Sequence, residues 1–138
     1  MASLIYNSAL DDNARALIDF DSDSFKVMLT TSTYTENKDT HTKRSDITNE
    51  VVGTGYTAGG TAATFTVTKD LTNDRIDITL GSASWASATI TARKAVYYKT
   101  RGGVASADEL VAVIDFGSDV TSTAGTFSLS ASTLRIQN

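Results

Sequence analysis

Trp85-Ala86-Ser87-Ala88-Thr89-Ile90-Thr91-Ala92-Arg93-Lys94-Ala95-Val96-Tyr97-Tyr98-Lys99-Thr100 leads through a Gly-containing link into Glu109-Leu110-Val111-Ala112-Val113-Ile114-Asp115-Phe116. The first half ends in the β-prone run Ala95–Tyr98, and Leu110–Ile114 is the most apolar run in the chain. Between them, Thr100–Asp108 is polar and holds Gly102 and Gly103, as a loop would. This pattern predicts a long central hairpin with the remaining sheet built outward from it.

Around the hairpin, alternation continues. Phe25, Val27 and Leu29 alternate with Lys26, Met28 and Thr30, predicting a strand over Ser24–Thr31. A second hairpin is predicted from Thr61–Lys69 and Arg75–Leu80, turning at Asp70–Asp74, with Ala63, Phe65 and Val67 facing Ile76, Ile78 and Leu80. Ile47–Val52, Thr126–Ser130 and Thr133–Ile136 read as short strands, and Gly117–Gly125 as a polar loop. The one helix is expected over Tyr6–Asp19. Ser8 and Asp11 fit a capping box, Asp11 and Asp12 lie toward the positive end of the helix dipole, and Leu10, Ala14, Leu17 and Ile18 make the apolar face. Eight or so strands and one helix predict a mainly β, single-domain antiparallel sandwich or barrel-like fold with a short N-terminal helix.

Composition narrows the function. The 138 residues carry a net charge of −4, which argues against binding nucleic acid through a broad basic surface. No cysteine is present, so neither a disulfide framework nor thiolate chemistry is available. No apolar run approaches the ~20 residues of a membrane span, and the start of the chain lacks a signal-peptide pattern, so synthesis in the cytoplasm is expected.

Motifs that would carry chemistry are incomplete. A Ser-His-acid hydrolase would have to use His41, the single histidine, and no G-x-S-x-G elbow exists. Asp19-Phe20-Asp21-Ser22-Asp23 begins like a calcium loop but lacks the Gly and Glu that an EF-hand needs at Ser24 and Thr30. A local acidic turn is the stronger reading. Gly53-Thr54-Gly55-Tyr56-Thr57-Ala58-Gly59-Gly60 is glycine-rich without the Lys of a phosphate loop, so it reads as a backbone device anchored by Tyr56. Trp85 is expected to plug the core, with stacking on sugar as the lesser reading. Arg93, Lys94 and Arg101 are expected to pair with Asp108, Glu109 or a partner's acids, at the modest strength of exposed ion pairs, ~0–1 kcal/mol each. The polar segment Thr33–Asp46 is long enough to be either a solvated excursion or an arm that grips a neighbouring subunit.

The ordered string of segments is more telling than any one of them. It runs Tyr6-Asn7-Ser8-Ala9-Leu10, Ile18–Leu29, Asp39-Thr40-His41, Ser45-Asp46-Ile47, Gly53–Gly60, Val96-Tyr97-Tyr98-Lys99 and Leu110–Phe116. This resembles a family of small virion structural proteins of tailed bacteriophages. Members begin Y-x-x-(G/A)-L, carry an I-D-x-x-(S/T)-D-x-(F/I)-K-V-x-L strand and a D-x-H loop, and end in a (V/L)-(I/V)-Y-K … L-(I/V)-A-x-I-D-F hairpin. The resemblance implies a virion protein without enzymatic activity, cofactor or metal, favouring a capsid decoration protein. A tail, neck or fibre-base component is the alternative, with receptor or glycan binding. The partners it implies are the major capsid protein and further copies of the chain, a trimer among the expected oligomers. Neither nucleic acid nor membrane is an expected partner. Loop length and composition pick out Ala2–Tyr6, Tyr34–Arg44, Gly53–Gly60 and Arg101–Ala105 as contact segments. Leu4, Tyr6, Tyr34, Lys38, His41, Arg44, Tyr56 and Arg101 are their candidate contact residues.

Overall fold

Two antiparallel sheets face each other in this computed structural model, which describes residues 3–138. In chain order the elements are β1 (Ser3–Ile5), α1 (Asn7–Ala14), β2 (Phe25–Thr30), β3 (Thr61–Ala63), β4 (Phe65–Asp70), β5 (Arg75–Leu80), β6 (Ala83–Lys99), β7 (Leu110–Leu129) and β8 (Ser132–Gln137). Single 3-10 turns lie at Arg44–Asp46 and Ala105–Ala107. Five strands form one sheet in the order β1-β7-β6-β2-β3, and three form the other in the order β4-β5-β8. The fold is mainly β, sandwich-like, with one short helix near the N-terminus, as expected.

The central hairpin is longer than its sequence suggests. β6 and β7 pair from Ala83 opposite Leu129 to Tyr98 opposite Leu110. Gly117–Gly125, expected as a loop, lies inside β7. The turn-like residues express themselves there as bulges. Three extra β7 residues are accommodated between the pairs Ala92–Val120 and Lys94–Asp115, where Gly117 takes φ +80°, and the register shifts again beside Ser87 and Ala124, both at positive φ.

Alternate residues of the hairpin feed two hydrophobic clusters. The larger lies between the sheets and joins Val27, Leu29, Tyr97, Ala112 and Ile114 to Ile78, Leu80 and Leu134. Trp85 belongs to it, 6% exposed, with the rings of Tyr56 and Phe127 each 5.9 Å away. Phe25 stacks on Phe65 at 3.9 Å and bridges the sheets. The smaller cluster, on the other face of the five-stranded sheet, holds Tyr6, Met28, Tyr34, Val96, Tyr98, Leu110 and Val113. Hence β2 is buried on both faces rather than one.

Several local expectations are corrected. The helix spans Asn7–Ala14, not Tyr6–Asp19, because Ala16 turns left-handed at φ +62° just after Arg15 closes it. Tyr6 is its N-cap, no side-chain cap bond forms, and Asp11 and Asp12 lie beyond the first turn. Ala9 is the buried residue of the helix. Leu10 is 46% exposed and Leu17 43% exposed, while Ile18 reaches the core only from the turn that follows. Ile47–Val52 is not a strand: Asn49 at φ +58° breaks it, leaving one bridge between Thr30 and Glu50. Thr61–Lys69 is two strands, since the chain passes from the five-stranded to the three-stranded sheet at Thr64. The β4–β5 hairpin forms where expected, pairing from Phe65 opposite Leu80 to Asp70 opposite Arg75, so that Asp70 closes the strand rather than opening the turn. Among the described residues, no helix is long and apolar enough to cross a membrane.

Candidate functional site

The loop joining β6 to β7 ends in two carboxylates that the fold removes from water, Asp108 at 1% and Glu109 at 2% exposure. Bare buried carboxylates are costly, so each must find cations and N–H donors. Asp108 accepts from Arg44 Nε at 2.8 Å and from the Arg101 backbone N–H at 2.9 Å. Glu109 accepts from Arg101 Nε and Nη2, the latter at 2.6 Å, and Lys43 Nζ stands 3.5 Å away. Burial works to raise Glu109, but Arg101, the backbone and Lys43 outweigh it and hold its carboxyl below the usual range. The guanidinium of Arg44 also lies over the Tyr98 ring, 5.2 Å from its centroid.

These acids tie down the polar segment before them. The Arg44 backbone N–H donates to Asp108 O and the Leu110 N–H to Thr42 O, so the segment is stitched along the start of β7. Further along it, Tyr34 is buried and its hydroxyl lies 2.8 Å from that of Tyr6 and 2.9 Å from His41 Nδ1. His41 Nδ1 also accepts from the Asn37 N–H. It is therefore an acceptor, which places Tyr34 as donor to His41 and Tyr6 as donor to Tyr34. Burial pushes Tyr34 up to about 12, and it raises Tyr6 further. Lys94, 8% exposed, donates to Tyr34 O at 2.8 Å and pairs with Glu36. The segment Thr33–Asp46 is thus a fastened strap rather than a loose arm.

The candidate contact residues divide accordingly. Leu4, Tyr6, Tyr34, His41, Arg44 and Arg101 gather where the hairpin connector, the strap and β1 meet. Tyr6 and Tyr34 are interior there, which corrects the expectation that their side chains are open to direct contact. Leu4 is half-buried opposite Val113. His41 and Arg44 are half-buried, while Lys38 and Arg101 are exposed. Tyr56 stands apart, its hydroxyl donating to Glu50 and accepting from the Leu29 N–H. Ala2 lies outside the described residues. The surface of this end also presents Val104, 69% exposed, and Gly102 and Gly103, around which a Cβ would meet nothing within 4 Å.

The expected pairing of Arg101 with Asp108 or Glu109 is present, but it is not an exposed one. The acids are buried, and the missed signal is their position at the head of the apolar run Leu110–Ile114, which draws them inward. Lys94 pairing with Glu36 was not legible, because the two are brought together by the strap.

The remaining motifs have structural partners. Asp19 Oδ1 accepts the N–H groups of Asp21 and Ser22, and Asp23 takes the Asp19 N–H and Lys99 Nζ. Among the described residues, no group of three or more His, Asp or Glu side chains is arranged to hold a metal ion. The glycine-rich loop is held by β6 and by the segment before it: Tyr98 OH donates to Gly59 O, and Gly59 N–H donates to Glu50. Trp85, Tyr97 and Tyr98 are buried and offer no face for stacking. No family model, curated protein or solved structure matches this chain.

Proposed function

We propose that the chain is a structural protein of a tailed-bacteriophage virion: a capsid decoration protein, made in the host cytoplasm, that binds the assembled major capsid lattice as a homo-oligomer. The reading assigns it no catalysis and no cofactor. One observation supports it most. Residues from several of the segments that carry the resemblance, scattered along the sequence, meet in one place. Tyr6, Met28, Val96, Tyr98, Leu110 and Val113 pack in a single cluster, with Ile47 against it and His41 hydrogen-bonded to its Tyr34. The cluster ties these segments together beneath an end of the molecule that exposes Lys38, Arg101 and Val104. A ligand that binds only the assembled lattice stabilises it by mass action, and a preorganised contact surface loses less entropy on docking than a loose arm.

The test is the particle. Virions should contain the chain in stoichiometric amount, in density on the capsid surface, and particles made without it should lose resistance to heat or chelator. Density at the tail or neck, or unchanged resistance after omission, would overturn the decoration reading. A glycan-binding role is disfavoured by the burial of Trp85, Tyr97 and Tyr98.

A further inference from the structure

The strap holds a closed turn at Asn37–His41. The His41 N–H donates to Asn37 O, and the Asn37 side-chain oxygen accepts the N–H groups of Asp39 and Thr40. A further bond closes the turn, from the Asn37 N–H to His41 Nδ1 at 3.3 Å. The turn is seated on the start of α1, where the Asn7 N–H donates to Lys38 O and the Asn7 side chain to Asp39. Lys38, Asp39 and Thr40 are exposed.

His41 Nδ1 thus meets two donors at once. A backbone N–H can only donate, so Nδ1 presents its lone pair and the ring carries its proton at Nε2. The Tyr34 hydroxyl, 2.9 Å away, also donates to it, and Tyr6 donates to Tyr34 at 2.8 Å. Tyr6 and Tyr34 are buried, whereas Asn37 is exposed. A hydroxyl can turn from donor to acceptor; a backbone N–H cannot. The two partners of Nδ1 therefore respond differently when that nitrogen gains a proton.

We propose that proton uptake at His41 Nδ1 reverses the Tyr34–Tyr6 hydroxyl chain and releases the Asn37 N–H, making the turn a pH-set latch on the strap. The proton comes from solvent, and the imidazole becomes imidazolium. Nδ1–H then donates to the Tyr34 oxygen, and Tyr34 donates to Tyr6. Two hydroxyl bonds exist in either direction, so the buried pair stays joined. Asn37 loses its acceptor, and water takes that place at an exposed position. The change is local to the turn around Lys38, and the sandwich keeps its stability. His41 is the single histidine, and histidine is the side chain whose charge ordinarily changes between about pH 5 and 8.

The surroundings accept the added charge. From the strap, Glu36 and Asp46 act on the hydroxyl chain, and Asp46 and His41 act on each other. The N–H groups of Lys43 and Thr42 hold Asp46 below the ordinary carboxylate range, so it is an anion throughout this window. β6 contributes Lys94, which pairs with Glu36 and stands 5.7 Å from the Tyr34 ring centroid. β1 leads into Tyr6, and β7 brings the apolar Leu110 and Val113. Lys38 and Asp39 lie in the turn itself, the latter bound to Asn7. Burial pushes both phenols up, so they remain hydroxyls. The proposal does not rest on the virion reading, since the purified chain alone tests it.

A lone histidine makes the test direct, because nitrogen NMR then reads one ring. At about pH 8 the proton should be on Nε2 and Nδ1 should be bare. The Asn37 amide should be protected from solvent exchange there. That protection, corrected for the intrinsic rate, should fall ~10-fold between about pH 7.5 and 5, as one hydrogen bond is lost, while the amides of β4 and β5 keep theirs. His41→Asn supplies an oxygen near the place of Nδ1 and takes up no proton, so its Asn37 protection should not change over this range. A proton on Nδ1 at the alkaline end overturns the proposal. So does Asn37 protection that stays constant, or that falls equally in His41→Asn. If His41→Asn fails to fold, the unmodified chain decides: Asn37 must lose protection at the pH where Nδ1 gains its proton, and loss at any other pH overturns the latch.

Discussion

Tyr97 sits at 0% exposure with a hydroxyl that has no hydrogen-bond partner among the described residues, and burial pushes it up to about 12. A buried unpartnered polar group costs ~1–3 kcal/mol. Tyr97→Phe removes the oxygen and keeps the ring, so urea unfolding should show a stability gain of ~1 kcal/mol. A loss would mean that the hydroxyl is satisfied. Gly60 is the opposite case. It holds φ +78°, and a Cβ there would stand 1.8 Å from Val27 O. Gly60→Ala should cost more than ~2 kcal/mol, or block folding, in the same assay. The run of glycines in the sequence marks an unusual backbone there. Which backbone it approaches depends on a contact 33 positions away and is not written locally.

At the level of elements, the strap and hairpin connector depend on the two buried acids. Asp108→Ala would leave Arg44 and the Arg101 N–H without their acceptor, an expected loss of ~3–5 kcal/mol. Asp108→Asn, which keeps an oxygen, should lose less. Amide hydrogen exchange should quicken over Thr42–Arg44 and Arg101–Asp108 in both variants, while β4–β5 stays protected. Legibility varies here for physical reasons. β5 was readable because its alternation marks one buried face, and the start of β7 because the continuous apolar run Leu110–Ile114 is buried on both. The helix was overextended because Leu17 and Ile18 continue its apolar spacing after Ala16 has already turned the chain. The polar middle of β7 looked like a loop because its outer face is wetted and its bulges use Gly117. Pairing with β6, not propensity, makes it a strand. The strap looked free because its anchors come from far along the chain, Lys94 from β6 and Asp108 and Glu109 from the hairpin connector.

For the whole molecule, titration sets the range of stability. Asp19, Asp23, Asp46, Asp70, Asp77, Glu109 and Asp115 are held below their ordinary values by cations or N–H donors, in several cases against burial. Their contribution is present above the unfolded values near ~4 and is lost as pH falls through the lower folded ones. Asp12, raised by burial, opposes this. At the other limit all five tyrosines are raised with burial as the largest cause, Tyr34, Tyr97 and Tyr98 to about 12. A raised phenol stabilises fully below ~10 and loses that contribution as pH climbs through the folded value. The midpoint of thermal unfolding should therefore be flat between ~5 and ~9 and fall on both sides. Tyrosinate absorbance should rise together with loss of the circular dichroism signal, not near pH 10 in the folded chain.

The hairpin that lines both clusters has a further consequence. Tyr97, Ala112 and Ile114 point to one cluster, and Val96, Tyr98, Leu110 and Val113 to the other. A ribbon shared residue by residue couples the two sides, so neither can melt while the other persists. Scanning calorimetry should give one endotherm, with van't Hoff and calorimetric enthalpies equal, and two resolved peaks would show that the ribbon does not couple them.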